Sequence, residues 1–375
     1  MQTHFFITGG TGLVGKNLLP RLLLSFPGST ATLLVRGEDE EDAQNRVRAI
    51  AGELQTEYGI EDAFERVQGM LGDVGLDHCG LRRDQIEQLV RKTTHVIHGA
   101  ATIRFDHPID EARTINCGGT RRMIALAHMC MESGNLQRFA YIGSSSVSGQ
   151  RAGVILEDEL EMDQKFFNTY EQSKNESERL VRDQLTRIPW VVFRPSIIIG
   201  DSRTGETSSF NVIYIPLRLL QRGLLTYVPG TPDTKLDLVP IDWVDDAMVY
   251  ILQRAESVGK VFHITAGPQR AATLEETVLR ALRYFDEHTP LSRPRTIEFI
   301  SRQEFERRRS LMRGREEAMM SQLDTLLPYV SIDRLFDSRN TDALLSQSPI
   351  SFPRFSNYSD RIFEYCVKTD WGKKL

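Results

Sequence analysis

Tyr170-Glu171-Gln172-Ser173-Lys174 sets a phenol and an ammonium four residues apart in a segment that reads as helix. Residues i and i+4 share a helix face, so both groups point into one site. A free tyrosine titrates near pH 10, and acid–base work near neutrality asks for a shift of about 3 units, or about 4 kcal/mol. An ammonium about 4 Å away supplies about that much at an effective dielectric of about 20. The expectation is a Tyr170 phenol depressed by Lys174. Ahead of this helix, a strand ends in Gly143-Ser144-Ser145-Ser146-Val147-Ser148-Gly149. A hydroxyl there can hold a substrate oxygen beside the tyrosine. Ser144 is the first choice and Ser145 the second, against a plain role in capping the strand end.

A second constellation lies at the N-terminus, in Thr8-Gly9-Gly10-Thr11-Gly12-Leu13-Val14-Gly15. It follows one strand and opens one helix. Glycines at 9, 12 and 15 suit a tight turn, close backbone approach to a pyrophosphate, and close packing of helix on strand. The helix start adds unpaired N–H groups and a partial positive charge. Thr8, Gly9, Thr11, Gly12, Leu13 and Val14 are the candidate cofactor contacts. The next strand ends in Arg36 where an NAD site would carry Asp or Glu. A guanidinium suits the 2′-phosphate of NADP(H) by charge and by its planar donors, unless Arg36 is an ordinary surface arginine. The acidic run Glu38–Asp42 weakens that local field, or serves the next helix start.

Elements able to position these groups recur along the chain. Strand-like runs are His4–Thr8, Ala31–Val35, Arg66–Leu71, His95–His98, Arg138–Gly143, Trp190–Pro195 and Val261–Thr265; helical patterns are Leu13–Ser25, Arg82–Arg91, Ile109–Glu132 and Asn168–Thr186. This alternation predicts an α/β, Rossmann-type doubly wound parallel sheet of about seven strands, with a smaller, mostly helical C-terminal substrate-binding region. The division expected is 1–200 for cofactor binding, with 237–266 returning to it, and 201–236 plus 267–375 for substrate. The net charge of −5 and the lack of a long basic block speak against nucleic acid. Cys79, Cys117, Cys130 and Cys366 show neither C-x-x-C nor zinc spacing, which reads as reduced thiols of a cytoplasmic protein with no metal. No apolar stretch is long enough for a transmembrane segment, and the immediate first strand leaves no room for a signal peptide.

Taken in order, Thr8–Gly15, His98-Gly99-Ala100-Ala101, Asn116-Cys117-Gly118-Gly119-Thr120, Ser144, Tyr170/Lys174 and Arg194-Pro195-Ser196 resemble the motifs of extended short-chain dehydrogenases/reductases. The finer resemblance is to the fatty acyl-CoA reductase and carrier-protein thioester reductase branch. It is carried by the charged insertion Asp39–Glu65, by HGAATIRFD at His98–Asp106, and by Gly200-Asp201-Ser202-Arg203-Thr204-Gly205 after the Arg194–Pro195 motif. It covers roughly residues 4 to 266. The resemblance implies a Ser144–Tyr170–Lys174 triad supported by Asn116. It also implies Asp73 and Val74 near the adenine, Gly99, Ala100 and Ala101 against the nicotinamide-side ribose, and Arg194, Pro195 and Ser196 along the cofactor.

Three functions fit such a chain. The first is an NADP(H)-dependent reductase acting on a thioester or carbonyl of an acyl or polyketide-like substrate, free or carried in trans on CoA or an acyl carrier protein. The second is a nucleotide-sugar epimerase or dehydratase, disfavoured by Ser145-Ser146 where a dehydratase would place an Asp-Glu pair. The third is a non-catalytic NADP(H) sensor, disfavoured because both Tyr170 and Lys174 stand. A homodimer is an allowed assembly. On the substrate side, Asn211–Val228 reads as a core helix before an acyl channel. Arg307, Arg308, Arg309, Arg313 and Arg315, interleaved with Glu304, Glu306, Glu316 and Glu317, read as a solvated mixed-charge face before a carrier dock.

Overall fold

A computed structural model describes residues 2–374 except 294, 326 and 331, and leaves the side chains of residues 315, 316, 319, 325 and 328 undescribed. The central strands are β1 (His4–Thr8), β2 (Thr30–Val35), β3 (Val67–Leu71), β4 (His95–His98), β5 (Arg138–Ile142), β6 (Trp190–Pro195) and β7 (Lys260–Ile264). They form one sheet in the order β3-β2-β1-β4-β5-β6-β7. Every pairing is parallel, with Thr8 opposite both Leu34 and His98. Four of these strands, β1, β4, β5 and most of β6, are buried along their length, as their near-continuous apolar runs require when helices cover both faces.

The crossover helices are α1 (Leu13–Ser25), α2 (Glu40–Tyr58), α3 (Ile109–Glu132), α4 (Thr169–Gln184) and α5 (Ile241–Leu252). On one face Leu19 and Leu22 of α1, Val47 of α2 and Val244 and Met248 of α5 share a core. On the other, Met123, Ile124 and Ala127 of α3 meet Val181 of α4. Helix α2 fills most of the charged insertion and begins in the acidic run Glu38–Asp42, the second of the two readings given for those acids. Its buried stripe of Ala43, Val47, Ile50, Ala51 and Leu54 keeps helical spacing among many charges. Asp39 caps it by accepting from Asp42 N.

A second core draws on two separate stretches, from Ile199 to Leu238 and from Ala272 to Trp371. Within it α6 (Leu274–His288) and α7 (Ser359–Lys368) meet through Phe285 and Phe363, ring centroids 5.5 Å apart. The helix Tyr214–Gln221 buries Tyr214, Leu217, Leu219 and Leu220 there, as an ordinary core helix does. One C-terminal piece departs from the expected division: Arg339–Leu345 packs on β7 and α5, and Leu345 joins the first core. Apolar burial, not chain position, decides where it sits. The Gly200–Gly205 turn joins the two parts, since Ser202 binds Asp242 of α5 through N (2.8 Å) and Oγ (2.6 Å). Among the described residues no helix is long and apolar enough to cross a membrane.

Candidate active site

The strand order reverses between β1 and β4, and the turns that follow these two strands flank the crevice where ligands of open α/β sheets sit. Gly9 has φ +77, and a Cβ there would lie 2.7 Å from Gly99 C and 2.8 Å from Ala100 N. A Cβ on Gly15 would lie 2.2 Å from Gly9 O. Only glycine lets the two turns and α1 approach so closely. No side chain caps α1, and its first turn carries no acid. Its N–H groups and partial positive charge stay available for an anion, so these residues fit the pyrophosphate of a dinucleotide. Thr11 and Gly12 are exposed there, and Leu13 and Val14 half-buried.

Thr8 works inward. Its hydroxyl accepts from Ala100 N (3.2 Å) and meets His98 Nδ1 at 2.7 Å. His98 Nε2 lies 3.1 Å from Thr120 Oγ1, which itself donates to Asn116 O (2.7 Å). Thr120 can therefore only accept from His98, which fixes the proton on Nε2 and leaves Nδ1 to accept from Thr8. Burial, aided by the Lys174 charge, holds His98 neutral, with its pKa brought down to about 3. Asn116 carries the same scaffold onward: Oδ1 accepts from Thr102 N (2.8 Å), and Nδ2 donates to Ser173 Oγ (2.9 Å). It ties the Gly99–Ala101 loop to the helix bearing Tyr170.

Tyr170 and Lys174 stand one turn apart on α4, which Asn168 caps by accepting from Glu171 N. Ser144 follows β5, half-buried, with Oγ 2.8 Å from Ser146 Oγ, and its hydroxyl acts on the Tyr170 phenol to lower its pKa. Ser145 is buried. The expected depression of Tyr170 by Lys174 does not occur. Burial pushes the phenol above its ordinary value, the Ser144 hydroxyl opposes the rise, and Glu171 adds to it. Lys174 Nζ donates to Ile142 O (2.8 Å) and lies 4.5 Å above the Tyr141 ring. Burial brings its own pKa down to about 8 against the pull of Glu178. Desolvating the phenolate costs more than the surrounding charges return.

At the cofactor's far end, Arg36 is exposed at the end of β2, and the acids after it are spent on α2. Asp73 accepts from Gly75 N (2.7 Å), while Val74 is buried against Gly119 of α3. The expectation for Arg194 needs correction. Its side chain is 0% exposed and pairs with Glu178 (2.7 Å), while also donating to Glu159 O (2.7 Å). A guanidinium buried near the end of its strand is held by its buried carboxylate and does not reach out to a ligand. Ser196 Oγ likewise donates to Asp237 (2.5 Å), leaving only backbone around Pro195 and Ser196 for contact.

The basic stretch is neutralised within the chain. Arg307 pairs with Glu304, Arg308 with Glu298 and Glu304, and Arg309 with Asp324. Arg313 donates to the Ser310 and Met312 carbonyls, and the side chains of Arg315 and Glu316 lie outside the described residues. Spacing gave no hint of three further groups beside the triad. Phe105 lies 5.6 Å from the Tyr170 ring, Glu171 is fully buried, and Arg334 arrives from the C-terminal part of the chain.

The sequence matches the family described as male sterility protein, an NAD-binding family, over residues 7–248. It is 29% identical over 287 residues to the non-canonical nonribosomal peptide synthetase FrzA of Cladobotryum sp, covering 73% of this chain and 27% of that protein. It is 26% identical over 312 residues to the putative fatty acyl-CoA reductase CG8303 of Drosophila melanogaster, covering 73% of this chain and 56% of that protein. The chain thus spans about a quarter to a little over half of these relatives. The fold is shared with the terminal R domain of the myxalamid PKS-NRPS biosynthetic pathway (TM-score 0.82, 24% identity, covering 99% of this chain and 92% of that one). The match across most of the sheet, together with the glycine cradle and the Ser144–Tyr170–Lys174 cluster, places the chain in the male sterility protein family.

Proposed function

We propose that this protein reduces an acyl thioester with NADPH, releasing an aldehyde and a thiol. The observation that carries the reading is the Tyr170 phenol, kept protonated by burial, one helical turn from Lys174 on a helix packed against the Ser144 turn. A reduction needs an acid, and a phenol above its ordinary pKa retains its proton throughout the neutral range. The nicotinamide cofactor supplies a hydride when bound. Thr11, Gly12, Leu13 and Val14 are the residues to hold its pyrophosphate, Arg36 its 2′-phosphate, and Gly99–Ala101 the second ribose.

In this reading Ser144 Oγ holds the substrate oxygen and Tyr170 Oη protonates it as the carbonyl carbon becomes tetrahedral. Lys174, fixed by Ile142 O, presents positive charge beneath the phenol as it loses its proton. Asn116 keeps the Gly99 loop and α4 in register. The hemithioacetal then collapses to aldehyde, and its thiol leaves with the hydroxyl proton. The second core, from Ile199–Leu238 and Ala272–Trp371, is the region to hold the acyl chain. CoA or an acyl carrier protein brings that chain in trans, in line with the acyl-CoA reductase and peptide synthetase relatives.

The test is incubation with NADPH and a series of acyl-CoA and acyl-pantetheine thioesters, trapping aldehyde as a hydrazone and titrating free thiol. Equal amounts of aldehyde and thiol are expected, with Tyr170→Phe slower by at least about a hundredfold. Tight NADPH binding without oxidation by any thioester would overturn the reading.

A further inference from the structure

The C-terminal part of the chain enters the active site at one side chain. Arg334 begins a short strand, Arg334–Phe336, that pairs in parallel with Gly153–Ile155. Gly153 N donates to Asp333 O (2.8 Å) and Asp337 N to Ile155 O (2.9 Å), which lengthens the join at both ends. Arg334 is only 7% exposed, and its guanidinium donates to Gly149 O (2.8 Å). It lies between two rings, 5.9 Å from Phe167 and 5.6 Å from Tyr329.

Each contact leads to a reacting group. Gly149 closes the turn that begins at Ser144. A Cβ on Gly149 would lie 2.2 Å from Lys165 O, and Gln150 N donates to that same carbonyl (2.7 Å). The Ser144 turn therefore rests directly on the segment that leads into α4. Phe167 lies in that segment, and its N–H donates to Glu171 Oε2 (2.9 Å), on the residue after Tyr170. Glu171 is fully buried, and Oε1 has no hydrogen-bond partner in the described structure. The Phe167 N–H, and after it the Arg334 charge, oppose the upward push of burial on Glu171, whose pKa stands at about 6. Tyr329, whose ring lies 5.6 Å from the guanidinium, is close enough to Glu171 and Tyr170 for their charges to raise its pKa.

We propose that Arg334 is a positioning residue, through which the C-terminal part of the chain sets the Ser144–Tyr170 geometry. A planar cation with several donors suits this place, since it bridges a carbonyl and two ring faces at once. Lysine offers a point charge and cannot hold all three. The inference rests on Tyr170 being the acid, and it goes further by making that acid depend on a segment more than 160 residues away in sequence. Substrate binding in the second core can then be communicated to the acid through one side chain.

The test uses the full chain with Arg334→Leu and Arg334→Lys, reading melting temperature, NADPH affinity, kcat and KM. It adds the titration of Tyr170 followed by 13Cζ-tyrosine NMR, with the signal identified by its absence in Tyr170→Phe. Arg334→Leu is expected to lower kcat by at least about thirtyfold with KM and NADPH affinity within about threefold, because misplacement of about 1 Å costs that order of rate. The Tyr170 titration is expected to move upward, since moving Ser144 away weakens the one influence that lowers it. Arg334→Lys should fold like the parent and still lose at least about fivefold in kcat. The NMR arm needs no turnover, so it tests Arg334 even if thioester reduction fails. A folded Arg334→Leu with unchanged kcat and unchanged Tyr170 titration overturns the proposal. So does Arg334→Lys at full activity, should the leucine variant not fold.

Discussion

Replacing Arg194 by methionine separates a structural arginine from a cofactor ligand. Arg194 and Glu178 are both 0% exposed and pair at 2.7 Å through Oε1 and 2.8 Å through Oε2. Removing one partner of such a pair costs about 3–5 kcal/mol, because the other charge stays buried without compensation. Here the carboxylate keeps Arg182, which donates to Glu178 Oε1 at 2.5 Å from a side chain 20% exposed. The expected cost for Arg194→Met is thus near the lower bound, about 3 kcal/mol, or about two orders of magnitude in the folding equilibrium. Urea denaturation of Arg194→Met, Glu178→Leu and the double variant measures it. The double variant should recover at least about 1 kcal/mol over the sum of the singles, since the only charge left without its partner is Arg182, which is partly in solvent. NADPH affinity of folded Arg194→Met, measured by nicotinamide fluorescence, should stay within about twofold of the parent, as expected of a group that makes no ligand contact. A well-folded Arg194→Met with tenfold weaker NADPH binding would refute the reasoning.

Gly9→Ala places a Cβ against the Gly99 backbone at φ +77. It should cost about 1–2 kcal/mol of stability from the left-handed backbone, and weaken NADPH by at least about tenfold in a fluorescence titration. Arg36→Glu should cut the preference for NADPH over NADH by about 10–100-fold in kcat/KM, the worth of a charged hydrogen bond lost at the 2′-phosphate. An unchanged ratio would return Arg36 to the ordinary surface. Glu157 is 3% exposed, and burial raises its pKa from 4.5 to about 7 against the donors His263 N, Asn340 N and Thr341. The folded state therefore holds a proton that the unfolded state has released. Its contribution is whole below pH 4.5 and is lost as pH rises to about 7. Relative to Glu157→Gln, the parent should lose about 2–3 kcal/mol across that window in urea titrations; parallel curves would show the shift absent.

Much of this protein is legible in sequence because the relevant physics is local. The runs His4–Thr8, His95–His98 and Trp190–Pro195 became the strands expected of them, since a strand buried on both faces has to be apolar throughout. Gly9 and Gly15 stand where a side chain would meet backbone at 2.7 and 2.2 Å, and Tyr170 and Lys174 share a face because a helix repeats every 3.6 residues. By contrast, only the start of helix α2 was legible, because charges outnumber the apolar stripe that buries the rest of it.

What sequence could not determine is where each charge would be spent. Arg194 and Arg36 are the same residue type beside the same kind of strand end. One is buried on Glu178 and the other stands in solvent. Lys174 was expected to tune Tyr170, yet its hydrogen bond goes to Ile142 O, and desolvation sets the direction of the tyrosine's shift. Burial and long-range pairing decide these outcomes, and neither is a property of neighbours in the chain. Arg334 is the plainest case. Nothing in its surroundings in sequence marks it, and only the packing of the C-terminal strand on Gly153–Ile155 brings it within reach of Gly149, Phe167 and Tyr329.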